Sequence, residues 1–420
     1  MEYYRILHSR LFRICIIFQA LVGTSVHADT LEWERYWVQV EGSNPRLQGL
    51  KKASDEARSQ IALPLPAPMI SFGSMGMNSP VSGVMEQTIE VAQKIPFPTK
   101  FSAYSGLKNG RVRTAELEAQ IRVGEFKRDV YGAFVDLSTV VRQRALLSEK
   151  QIFFSDHLKR LRSLTISDQT QQLHILEMDA EQANVRLELA KLDADEKGLR
   201  AKLAAYLSGS ADGSASSASE ASTLFGEPHL PAVDMNSGGN PDKIEASPYV
   251  LLAQSGENVV SQERSVAKST WLPDISLTYR RRLRKDGLMP SNHEAMIGVE
   301  LPFVWGWQTH AVNNAAELKE SNAALAAEQV RRDIAAEVAG LKIRITSVRD
   351  QLRLMNKQIL PNLERRIHLL HRLAQTDMES LDLHRATYER FIDGKLKYIN
   401  LESELRKSMM ALDTLMGEPK

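Results

Sequence analysis

The sequence predicts a mainly α protein with some β: two tandem copies of a unit in which a β-hairpin is followed by a long antiparallel helical hairpin. Three observations predict it. A proline–phenylalanine junction is written twice, as Lys94-Ile95-Pro96-Phe97-Pro98 and as Val299-Glu300-Leu301-Pro302-Phe303. Before each junction apolar residues alternate with a period of two; after each they recur every three to four residues. Further similar stretches follow in the same order at an offset of about 205 residues, among them Pro68-Met69-Ile70-Ser71-Phe72 with Pro273-Asp274-Ile275-Ser276-Leu277, and Leu207-Ser208-Gly209 with Leu415-Met416-Gly417. Such a period is far too long for a solenoid, so each half is a large unit of its own.

Residues 1–28 read as a secretory signal. Arg5, Arg10 and Arg13 give a basic start, Ile14 to Gly23 a short apolar core, and Val26-His27-Ala28 a small-residue cleavage site. The single cysteine, Cys15, lies inside this segment, so a mature chain would hold no disulfide, cysteine-metal site or cysteine nucleophile. No later run of 18 apolar residues follows, which leaves an exported chain as either a soluble protein or a β-barrel.

The first repeat, 29–208, holds a short helix, a β-hairpin at about 69–97 and a helical hairpin at about 103–208. Its strands are Ile70 to Met77 and Thr88 to Ile95, and its helical seam runs Leu117, Ile121, Val130, Phe134, Leu137, Val141. The chain reverses near Ser163–Thr170; the returning helix carries a seam of Leu176, Ala180, Ala183 and Leu187, whose small residues permit close approach. Residues 209–245 are rich in Gly, Ser and Ala and read as a flexible linker or an equatorial segment.

The second repeat, 246–417, starts with a short helix at Ser247–Thr270, closed by Trp271-Leu272-Pro273. Ile275, Leu277 and Tyr279 then alternate with Ser276, Thr278 and Arg280 in a hairpin at about 275–304. Strands of nine to eleven residues suit a membrane barrel, though a soluble hairpin has the same pattern. The helical hairpin at about 308–416 opens with a heptad seam: Ile334, Val338, Leu341, Ile345, Val348, Leu352, Met355 and Ile359, continued by Leu363, Ile367 and Leu370. A helix from Gln308 to Ala374 would be roughly 100 Å long. Pro361 falls inside it and should kink or break it. A polar stretch, Gln375–Ser380, reverses the chain again.

Charge is balanced, with 53 basic and 52 acidic residues, and no basic tract carries interleaved aromatics, so nothing points to nucleic acid. Fingerprints of serine hydrolases, P-loop or dinucleotide enzymes and zinc proteases are missing, and no cofactor or catalytic residue is indicated.

With its duplicated hairpins and the Pro96-Phe97 and Pro302-Phe303 junctions, the chain resembles the TolC-like outer-membrane efflux proteins over about residues 31–417. The Gln93–Lys100 junction and the Trp271–Leu277 strand entry look most like the heavy-metal and cation efflux branch. The resemblance implies a homotrimer in which each chain gives four strands to a transmembrane barrel and its helices to a periplasmic tunnel. It implies no enzyme activity, but passive conduction of metal cations or small toxic compounds out of the periplasm of a Gram-negative cell. Partners would be a periplasmic adaptor, an inner-membrane pump and outer-membrane lipid. The same scaffold serves type I secretion, and an adaptor or coiled-coil scaffold is the competing class. Many relatives carry a lipid-modified N-terminal cysteine and a glycine in each hairpin tip; a mature chain starting after residue 28 would have no cysteine, and the two tips have no such glycine.

Within that frame Asp377, Glu379 and Asp382 are candidate pore-constriction carboxylates, since threefold symmetry turns an inward carboxylate into a cation-favouring ring. Ser167, Asp168, Thr170, Ser380 and Leu381 are candidate adaptor contacts. Pro96, Phe97, Pro302 and Phe303 mark where barrel strand becomes tunnel helix. His368, His371 and His384 offer metal ligands against the simpler reading of surface histidines. Met69, Met75, Met77 and Met85 cluster near one strand pair, as a soft-metal path or as packing. Arg280, Arg281, Arg282, Arg284 and Lys285 approach a loop, where they could grip lipopolysaccharide phosphates or form a solvated rim. Trp305 and Trp307 suit an interfacial belt or junction packing.

Overall fold

A computed structural model describes residues 31–63, 65–75, 86–163, 169–208, 226–231, 241–284, 292–300, 306–373 and 378–417. In chain order these form β1 (Leu31–Glu32), α1 (Trp33–Ser43), α2 (Pro45–Ser59), β2 (Met69–Met75), β3 (Glu86–Ile95), α3 (Pro98–Ser163), α4 (Gln169–Ser208) and β4 (Pro228–His229). A 3-10 turn (Pro241–Ala246) leads into α5 (Pro248–Ser269), β5 (Asp274–Arg284), β6 (Asn292–Glu300) and α6 (Gly306–Leu354). A π segment (Met355–Ile359), α7 (Leu360–Leu373) and α8 (Met378–Met416) complete the chain. Residues fall into two compact units: a sheet unit within 47–125, 239–340 and 412–420, and a hairpin unit within 1–46, 126–238 and 341–411.

The sheet unit is built on four antiparallel strands in the order β2-β3-β5-β6. The two β-hairpins form one sheet, joined by β3 and β5 over ten residue pairs from Glu86↔Arg284 to Ile95↔Ile275. Pro96 is buried and Phe97 half-buried at the turn out of β3. Pro98 then opens α3, where a first-turn residue needs no N–H donor. In that first turn Lys100, 9% exposed, gives its ammonium to Asp274 at 2.6 Å, tying helix start to strand start. Along the early part of α3, Gly106 and Gly110 let α5 come close: a Cβ on Gly110 would meet Val259 Cγ2 at 3.0 Å. One helical turn on, the Thr114 and Ser255 hydroxyls share a hydrogen bond of 2.9 Å.

The hairpin unit has two cores. In one, Trp33 and Tyr36 of α1 pack edge-on or tilted against Tyr131 and Phe134 of α3. The Tyr36 hydroxyl donates to the Leu203 carbonyl at 2.7 Å, and burial pushes its pKa up. In the other, Phe154, Leu158 and Leu161 of α3 meet Met178 and Val185 of α4 and Leu381 of α8. Ion pairs stitch the helices between these cores: Arg142 to Glu402 at 2.8 Å, Arg344 to Glu404 at 2.7 Å, and Lys407 to Asp136.

Several sequence expectations change. The linker range 209–245 holds an anchored piece: β4 pairs in parallel with β1, and the Arg406 guanidinium donates to the Pro231 carbonyl at 2.8 Å. The heptad seam of α6 is buried at Ile334, Val338, Ile345, Val348, Leu352 and Met355, but Ile359 is 37% exposed. The π turn explains the slip. Pro361 lacks the N–H that residue 357 would accept, and a wider turn just before it absorbs the ring. The added residue moves the half-buried position from Ile359 to Leu360, after which Leu363, Ile367 and Leu370 follow on the covered face. On α4 the expected seam of Leu176, Ala180, Ala183 and Leu187 is exposed; Met178 and Val185 face the core instead.

Candidate channel surfaces

The strand registers sort every side chain of the sheet onto one of two faces. One face carries Ile70 and Phe72 of β2, Ile89 and Val91 of β3, Ile275, Leu277 and Tyr279 of β5, and Ala295, Ile297 and Val299 of β6. Many of its apolar residues are exposed, Phe72 at 78% and Ile297 at 77% among them, while Ile89, Val91 and Ile275 are half-buried. On the other face charges pair in a ladder. Glu90 accepts two hydrogen bonds from Arg280 at 2.8 and 2.9 Å, and Glu294 lies 3.0 Å from Arg282 and 3.8 Å from Arg280. Toward the helices the ladder ends with Lys94 and Glu300 at 2.5 Å. Polar side chains that satisfy one another on one face, beside a bare apolar face, are the pattern of a sheet between an aqueous lumen and hydrocarbon.

The arginine run is therefore split by the pleat. Arg280 and Arg282 point to the ladder, whereas Arg281 points to the apolar face. Of the methionines, Met69 lies on the ladder face; the Met75 side chain, Met77 and Met85 are outside the described residues. Trp307 and Trp271 are exposed, at 66% and 52%, near the helix ends of the strands. Trp305, Pro302 and Phe303 lie outside the described residues, as do Ser167, Asp168, Asp377, Arg284's side chain and Lys285.

At the distal ends of the hairpin unit, α3, α4, α7 and α8 converge on a histidine-rich joint. Phe153 stacks on Tyr388 with ring centroids 3.8 Å apart and touches His157 and His384. His157 is 3% exposed and its Nε2 has no hydrogen-bond partner among the described residues; burial first, then the Arg385 charge, pushes its pKa down from 6.5 to about 4. His384 is also lowered, by burial and then by His371. Asp382 lies 3.5 Å from His174 Nδ1 and 4.0 Å from Arg385, so this candidate pore carboxylate is engaged within its own chain. Leu381, expected as an adaptor contact, is instead 3% exposed in the distal core. Ser380 is half-buried; Thr170 and Glu379 sit in the first turns of α4 and α8, their side chains outside the description.

His371 and His384 do come together, with ring centroids 5.5 Å apart, but His368 is exposed on another part of α7. Among the described residues no group of three or more His, Cys, Asp or Glu could hold a metal. Sequence reasoning missed the joint itself. Its signal was present: Phe154, His157, Leu158 and Leu161 share one helical face, with a histidine where an apolar residue is expected.

No protein-family model matches the chain, and no curated protein matches it. Solved structures do. CusC, from work on folding and transmembrane channel formation, superposes with a TM-score of 0.73 at 14% identity over 91% of each chain. A membrane protein from Pseudomonas aeruginosa gives 0.75 at 14% identity, over 92% of this chain and 91% of that one. The outer membrane protein VceC from Vibrio cholerae gives 0.71 at 13% identity, over 92% and 96%. The fold is that of the outer-membrane channels. No helix of the described residues is long and apolar enough to cross a membrane.

Proposed function

We propose that this chain is an outer-membrane exit duct of a tripartite efflux system, exported by its residues 1–28 and passively conducting metal cations or small toxic compounds. Three copies each contribute four strands to one barrel and their helices to a periplasmic tunnel, which docks on an adaptor and an inner-membrane pump. The repeats 29–208 and 246–417 descend from a tandem duplication, which makes the tube pseudo-sixfold. The observation that carries the reading is the sheet: an exposed apolar face, an ion-paired polar face, and two strand edges, β2 and β6, left unpaired among the described residues. Open edges are not tolerated in lipid, so the sheet needs further copies to close. The exposed stripe of Leu176, Ala180, Ala183 and Leu187 on α4 supports the same assembly, as a seam awaiting a neighbouring copy.

Asp377, Glu379 and Asp382 remain the proposed constriction carboxylates, and the two hairpin ends the proposed adaptor contacts. Fractionating the cell envelope and measuring the mass of the detergent-solubilised protein tests the proposal. An outer-membrane trimer that resists urea washing is expected; a soluble periplasmic monomer would overturn it.

A further inference from the structure

We infer that Arg281, together with His293 and Tyr279, forms a site for the phosphate of a lipid headgroup at the outer rim of the apolar sheet face. The inference rests on the reading of the sheet as membrane-inserted.

The starting point is a charge in the wrong place. Phe72, Ile89, Arg281 and His293 lie side by side in one row across the four strands, on the apolar face. Arg280 and Arg282, one residue away on either side, are neutralised by Glu90 and Glu294 on the opposite face. The pleat denies Arg281 both carboxylates, and no ion pair to it exists among the described residues. A guanidinium cannot shed its proton, so among lipid chains it needs an anion. It stands near the loop end of β5, which closes at Arg284, away from the helices. An eleven-residue strand tilted as in a barrel rises by roughly 25–30 Å, so its loop end reaches the depth of outer headgroups.

The neighbours complete the donor set. His293 is the direct cross-strand partner of Arg281, close enough for both side chains to reach one ligand. The Tyr279 hydroxyl lies 2.5 Å from His293 Nδ1. When the hydroxyl donates to Nδ1, the imidazole proton sits on Nε2, leaving that N–H free to donate outward. Arg281 then supplies the forked, charged donors that suit phosphate oxygens, and His293 a further N–H. All three residues are exposed, so a headgroup can reach them. The ligand class is a phosphate-bearing lipid of the surrounding leaflet, held at the chain's own surface rather than conducted.

The test is native mass spectrometry on the full chain, delipidated in detergent and titrated with lipid A or phosphatidylglycerol. R281Q should reduce lipid retention about tenfold, the loss of one charge-assisted contact. H293Q should reduce it by a smaller factor. R280Q, on the opposite face, should retain lipid like the unaltered chain. Equal retention by R281Q, or an equal loss in R280Q, overturns the site. Displacement of the lipid by millimolar inorganic phosphate would overturn the lipid assignment in favour of a free-phosphate site. Membrane fractionation of the same cells keeps the two readings apart: a chain absent from the membrane defeats the duct, whereas a membrane trimer with unaltered R281Q retention defeats only the lipid site.

Discussion

Replacing His157 by phenylalanine should remove much of the acid sensitivity of the hairpin unit. In the folded chain this imidazole is 3% exposed, stacked beside Phe153, and its pKa is pushed down from 6.5 to about 4. A histidine with a folded pKa below its unfolded value favours the fold only while neutral. Its contribution is complete above pH 6.5 and is lost as pH falls through the window from 6.5 to about 4. The linkage amounts to about 2 kcal/mol at pH 5 and about 3 kcal/mol at pH 4. His384, lowered by burial, adds in the same direction, while Glu389, raised by burial, works the other way at the acid end. Phenylalanine keeps the ring against Phe153 and deletes the Nε2 that has no partner among the described residues, so stability at pH 7.5 should be equal or higher. The assay is urea unfolding of the detergent-solubilised protein, followed by far-UV circular dichroism at pH 7.5, 5.5 and 4.5. The unaltered chain should lose stability steeply over that range, and H157F should lose about 2 kcal/mol less by pH 5. Parallel losses in the two proteins would refute the argument.

Three further outcomes follow from the geometry. Gly110→Leu forces a side chain against Val259, where a Cβ alone would sit at 3.0 Å, and should cost about 1–3 kcal/mol in the same unfolding assay. Pro361→Ala removes the cause of the π turn; with cysteines placed singly at 359 and 360, position 359 should label faster in the unaltered background and position 360 faster once the proline is gone. Leu176→Glu with Leu187→Glu puts charge on the exposed stripe of α4 and should shift the detergent-solubilised mass from trimer to monomer, leaving the fold by circular dichroism unchanged.

How far the sequence could be read depended on what kind of signal each feature leaves. Alternation at Ile275, Leu277 and Tyr279 marked β5, and the break at Pro96-Phe97-Pro98 marked the start of α3, because backbone period and missing donors are local properties. Pairing of β3 with β5 was invisible, since alternation says which face a residue takes and not which strand lies beside it. The seam of α6 was read correctly until Met355 and lost its phase at Ile359, where one π turn adds a residue that no heptad count foresees. The seam expected on α4 is not the stripe that its own chain covers. That helix has two apolar faces, Met178–Val185 and Leu176–Leu187, and periodicity cannot say which one its own chain covers. Of the proposed site residues, Asp382 and Leu381 were legible as a position near a chain reversal but not in their surroundings. The ion pair with His174 and the distal core come from helices far apart in sequence.

The exposed α4 stripe and the split arginine run share one feature. Each is a place where a residue pattern looks unsatisfied inside a single copy: apolar side chains of α4 left exposed, and Arg281 with no carboxylate paired to it among the described residues. Unsatisfied groups of either kind are costly unless something outside the chain meets them. The two needs are different in chemistry. The α4 stripe, with Ala180 and Ala183 between its leucines, is shaped for the close approach of another helix, whereas Arg281 on the exposed apolar face asks for an anion within reach of hydrocarbon. Two separate sets of substitutions therefore tell them apart. Charging the α4 stripe should abolish assembly and, with it, the closed barrel; neutralising Arg281 should leave the trimer intact and change only which lipids stay with it.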